Sequence, residues 1–114
     1  MGYAGFMITH DYIEKRSLVL ARQIAARIDA DPRHRALSKA RARCRRWLCA
    51  NPGSDLRLWA AILKQPWPLV REALLDSSET GHRIRQSNPF CGVLSPRERW
   101  AVYRSFSHHD PSST

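Results

Sequence analysis

The chain has 114 residues, 43% of them apolar, and carries 19 Lys plus Arg against 10 Asp plus Glu, a formal net charge of +9. That length suits one domain with one core, burying roughly two-thirds of the unfolded surface, and is too short for a doubly wound nucleotide-binding fold. No stretch approaches the roughly 20 apolar residues that a membrane-spanning helix needs. The first ten residues carry no basic leader and Phe6 breaks the Gly2 myristoylation pattern, so neither export nor lipid anchoring is expected. Cys44, Cys49 and Cys91 form an odd set in a chain able to build a core without cross-links, which fits a reducing cytoplasm.

Asp11 followed by Glu14 is a capping-box pattern that opens a first helix, expected to run to about Asp29. Ile13, Leu20, Ala21, Ile24, Ala25 and Ile28 share one face of it. Asp31 and Pro32 supply an N-cap and a first-turn proline for a second helix, which Asn51, Pro52 and Gly53 close. Its apolar stripe is Leu37, Ala40, Cys44, Trp47 and Leu48. Ser54 or Asp55 caps a third helix ending at Pro66, and Pro68 opens a fourth. A fifth, from about Ser78 to Gln86, is weakened by Gly81, and an ordered loop follows over 87–94. Ser95, Pro96 and Glu98 form the clearest boundary, combining an N-cap, a first-turn proline and a reciprocal carboxylate. The final helix carries Trp100, Val102, Tyr103 and Phe106, and residues 107–114 are expected to form a flexible tail. Period-two alternation is absent, so the expected fold is all-α: a compact single domain, 1–106, of five to six short helices.

The charge is not spread evenly. Residues 1–31 hold four bases and four acids, 55–114 hold eight bases and six acids, and 32–54 hold seven bases and no acid. Arg outnumbers Lys 16 to 3, which a GC-rich genome can produce, but such a bias does not concentrate charge in one segment. On the second helix Arg35, Lys39 and Arg43 follow one i, i+4 row with Arg46 beside it, and Arg41 and Arg45 form another row. Like charges at that spacing cost an isolated helix a few tenths of a kcal/mol per pair, a cost that an acidic partner removes. Contact with about six phosphates implies a slope near −5 in log affinity against log salt.

A helix-turn-helix over the fourth and fifth helices, with His82, Arg83 and Arg85 on the second of them, fits poorly, because Arg71 and Leu75 stand where small residues are wanted. Arg83 and Arg85, together with Trp67, are secondary contact candidates. The four tryptophans suit core positions at helical spacing, and Trp67, between two prolines, is the best candidate for an exposed anchor. Catalytic inventory is thin. Cys44 and Cys49 point about 140° apart on one helix, no CxxC is present, and neither a metal set nor a cofactor motif is found. The spacing of Arg27 to His34 and of Arg104 to His109 is similar to that of the Arg and His pairs of small helical ribonucleases. One pair, however, spans Asp31-Pro32 and the other enters the tail.

The expected function is therefore non-enzymatic: a nucleic-acid-binding module holding the phosphate backbone through Arg35, Lys39, Arg41, Arg43, Arg45 and Arg46 on a helix over 33–50. The alternative is a small inhibitor or adaptor of the phage or mobile-element type. It would set the same face on an acidic surface of a host protein that handles nucleic acid.

Overall fold

Helix α1 (His10–Asp29) turns Ala21, Ile24, Ala25 and Ile28 inward, each at most 7% exposed, as its periodicity dictates. The computed structural model describes residues 10–108, with six helices and no strand among them. The cap expected on Asp11 lies outside the described side chains.

The chain leaves α1 through a corner in which the Asp31 carboxylate accepts from the backbone N–H of Arg33 at 3.1 Å and of Arg35 at 3.0 Å. His34 completes that corner at φ 47°, a left-handed position that His tolerates better than most residues. Helix α2 (Arg35–Ala50) therefore begins at Arg35 and not beside Pro32, because Asp31 spends its oxygens on a turn before the helix. Leu37, Ala40 and Cys44 are buried, while Trp47 and Leu48 are half-buried.

Helix α3 (Ser54–Leu63) follows with Gly53 at its N-cap and no side-chain cap, so neither Ser54 nor Asp55 serves as expected. Helix α4 (Trp67–Leu74) begins one residue before Pro68. Helix α5 (Glu79–Arg85) is capped by Ser78, whose hydroxyl accepts from the Gly81 N–H at 3.2 Å. Gly81 is a requirement here and not a weakness: a Cβ on it would stand 2.2 Å from the Asp76 carbonyl oxygen. The loop after α5 carries Pro89 and Phe90 into the core, and the Phe90 ring meets Trp59 at 6.0 Å and Trp67 at 6.4 Å, both edge-on. Gly92 turns that loop at φ 91°.

Helix α6 (Pro96–His108) opens with the expected reciprocal box. Glu98 N–H donates to Ser95 Oγ at 3.1 Å and Ser95 N–H donates to Glu98 Oε1 at 2.8 Å. It continues two residues past Phe106, so 107 and 108 belong to the helix; 109–114 lie outside the described residues.

One apolar cluster joins α1 to α5 and the loop residues Phe90 and Leu94, making the fold an all-α single-domain bundle. Helices α2 and α3 pack most extensively together, and α6 packs against α1. That limited seat changes the fate of Trp100, expected inside with Tyr103: its side of α6 faces away from α1, and it is 61% exposed. Trp67, the best candidate for exposure among the four tryptophans, lies in the core at 6% exposed. None of the described helices is long and apolar enough to cross a membrane.

Candidate nucleic-acid interface

Helix α2 contains no acid, and the fold uses its cations in three different ways. Arg35 pairs with Asp31 at 3.2 Å but keeps its side chain 75% exposed. Arg41 and Arg43 flank the apolar stripe on opposite sides and reach across to neighbouring backbone. Arg41 donates through Nε to Leu63 O at 2.6 Å and through Nη2 to Gln65 O at 3.0 Å, satisfying carbonyls at the C-terminal end of α3. A cation suits that position because the helix dipole is negative there. Arg43 donates to Pro89 O at 2.8 Å and pins the buried loop. Lys39, Arg45 and Arg46 are exposed and have no ion-pair partner among the described residues.

The structure thus divides the six expected contacts. Arg35, Lys39 and Arg46 remain together on the outward row and Arg45 stands on the flank facing α3, whereas Arg41 and Arg43 are committed to carbonyls. The ion pairs among the described residues bring the outward row one carboxylate, that of Asp31 on Arg35. Besides Asp31, the carboxylates of Asp29, Asp55 and Glu98 hold Arg71, Arg83 and Arg27, none of which is on α2.

Of the secondary contacts, Arg83 pairs with Asp55 at 3.1 Å and stays exposed. Trp67 donates its indole N–H to Asp29 at 2.7 Å from inside the core. Arg85 is 7% exposed, correcting the expectation of a surface contact. Its Nε donates to Ser17 Oγ at 2.7 Å, and its Nη1 donates to Leu74 O at 3.1 Å and Asp76 O at 2.5 Å. With Arg85 inside and Arg83 paired, α5 brings no unpaired Arg to a DNA groove, although α4, the turn and α5 follow one another as a helix-turn-helix would require.

Arg27 and His34, spaced as in helical ribonucleases, are engaged separately: Arg27 with Glu98 on α6, and His34 with the Trp67 ring at 5.9 Å. His109 of the other pair lies outside the described residues. Among those described, no group of three or more His, Cys, Asp or Glu side chains could hold a metal ion. Compared with protein-family models, curated proteins and solved structures, the chain matches none.

Arg16, Arg85 and Arg99 line one pocket between α1, α6 and the loop after α5. Sequence reasoning missed this grouping, because the three lie up to 83 positions apart. The only local sign was Arg85, beside Ile84 and one turn after Gly81 on the inward side of α5.

Proposed function

We propose that the protein is a nucleic-acid-binding module that grips the phosphate backbone through the outward face of α2. The observation that carries this reading is the set of exposed cations Lys39, Arg45 and Arg46, with Arg35 beside them, on a helix that has no acid and receives only one carboxylate from the other described residues. Keeping such a field together opposes the fold's own stability, and condensed phosphates relieve it. The reach is suitable: Arg35 and Arg46 are about 16 Å apart along the helix axis, enough to meet phosphates on both sides of a groove about 12 Å wide. Contacts of that kind position a protein without reading bases, so binding is weakly sequence-specific.

Replacing Lys39, Arg45 and Arg46 together with Glu abolishes the gel shift of a duplex or single-stranded probe at low salt. With four phosphate contacts, the slope of log affinity against log salt is about −3.6 for duplex DNA, shallower than six contacts would give. An unchanged shift in the triple variant, or none in the parent at low salt, excludes the proposal. An acidic protein surface is the competing partner, and a partner retained on immobilised protein after nuclease treatment, and released by the same triple substitution, identifies it.

A further inference from the structure

A pocket of about 410 Å³ lies between α1, α6 and the loop after α5, on residues that the α2 face does not use. Its volume falls within the range of small-molecule sites. Among the described residues three arginines, Arg16, Arg85 and Arg99, line it, and no acid does. Leu20, Ile24, Phe90 and Leu94 supply an apolar wall, with Tyr103 also lining it.

Arg85 is the unusual member. A buried charge is stable only when paired or fully hydrogen-bonded. Arg85 caps the C-terminal end of α4 through Nη1 and holds Ser17 through Nε, yet its Nη2 is buried without a hydrogen-bond partner. No carboxylate of the described residues pairs with it; the Asp76 and Glu14 side chains act on it only through their fields. Arg16 is half-buried, with its guanidinium 4.8 Å from the centre of the Tyr103 ring, so a second cation is held in place at the same pocket.

We infer that this pocket binds a small phosphate monoester with an aromatic or apolar body, its phosphate facing Arg16, Arg85 and Arg99 and its body against the Leu20, Phe90 and Tyr103 wall. Three cations exceed what a single carboxylate balances, whereas a phosphate monoester carries about −1.5 to −2 at neutral pH and offers three acceptor oxygens. Guanidinium is also the side chain best matched to phosphate oxygens.

Phenyl phosphate is the probe, followed by nitrogen-15 NMR on the full chain. It is expected to shift the Arg85 Nε–H resonance and the Ser17 and Gly92 amides, and to bind at least about tenfold more tightly than inorganic phosphate. Phenol leaves those resonances unmoved. Arg16→Gln with Arg99→Gln weakens binding at least about tenfold, as loss of charge-assisted hydrogen bonds implies. Lys39→Gln with Arg46→Gln leaves it within about twofold, which separates this pocket from the α2 face. The assignment is overturned if millimolar phenyl phosphate leaves the parent's Arg85 signal in place. It is equally overturned if phenol acts alike, or if the α2 variant loses the binding while the pocket variant keeps it.

Discussion

The Trp67 indole and the Asp29 carboxylate, 38 residues apart, meet at 2.7 Å and join the end of α1 to the start of α4. Arg71 takes the second carboxylate oxygen at 3.0 Å, so one side chain of α1 holds two successive turns of α4. The indole donor is the main reason the Asp29 carboxyl lies below its ordinary value of 3.8, with Arg71 adding to it against partial desolvation.

Asp31, Asp76 and Glu98 are lowered too, each chiefly by backbone N–H donors. A depressed folded value favours the ionised carboxylate, so the stability it contributes is complete above the ordinary value and is lost as pH falls through the folded one. The melting temperature should therefore hold steady as pH falls from neutral to about 5, and drop below about pH 4. Carbon-13 titration of Trp67→Phe should show the Asp29 value rising towards the ordinary one, while Glu98, held on α6 by its own Ser95 box, stays put.

Arg41 and Arg43 should behave unlike their neighbours on α2. Arg41→Gln and Arg43→Gln each leave backbone carbonyls without their donor and should cost about 1–2 kcal/mol. Lys39→Gln and Arg46→Gln change exposed side chains with no ion-pair partner among the described residues and should stay within about 0.5 kcal/mol. Urea unfolding of the four single variants, followed by tryptophan fluorescence, makes the comparison. In a gel shift the order should reverse, with Lys39 and Arg46 the sensitive pair.

Gly81→Ala separates helix propensity from packing. Propensity alone predicts a gain of about 1 kcal/mol for removing a glycine from a helix. The 2.2 Å approach to the Asp76 carbonyl demands that α5 move from the turn that precedes it, and overpacking of this kind costs about 1–3 kcal/mol. Thermal unfolding should show the variant melting below the parent.

Ser95→Ala removes the N-cap of α6 and should cost about 1 kcal/mol. Because α6 is seated on α1, hydrogen exchange should quicken first in the opening turn of α6 while the α2 and α3 amides remain protected.

The thiols give a simple test of burial. Cys49 and Cys91 are exposed, whereas Cys44 is buried against α3, its Sγ donating to Leu56 O at 3.6 Å and its thiol pushed up by desolvation. An aromatic disulfide reagent should titrate two thiols in the native protein and a third only in denaturant.

Much of the architecture is legible along the chain, because helix ends and faces are local matters. The Ser95 and Glu98 box acts within four residues, and the Ile24, Ala25, Ile28 face needs only the helical period. The acid-free character of 32–54 is equally local, so the position of the basic helix follows from composition.

Exposure of a large side chain depends instead on how many neighbours its helix acquires. Trp100 remains outside because its side of α6 faces away from α1, and Trp67 goes inside because Asp29 and Phe90 arrive from distant parts of the chain. The same holds for the charges. Periodicity places Arg41, Arg43 and Arg85 on their helices, but only the packing brings Leu63 O, Pro89 O and Leu74 O within 3.1 Å of them. A guanidinium that finds a carbonyl becomes part of the scaffold, and one that finds none stays available to a partner. For Arg41 and Arg43 it depends on backbone 22 and 46 residues away, and that is why six candidate contacts became four.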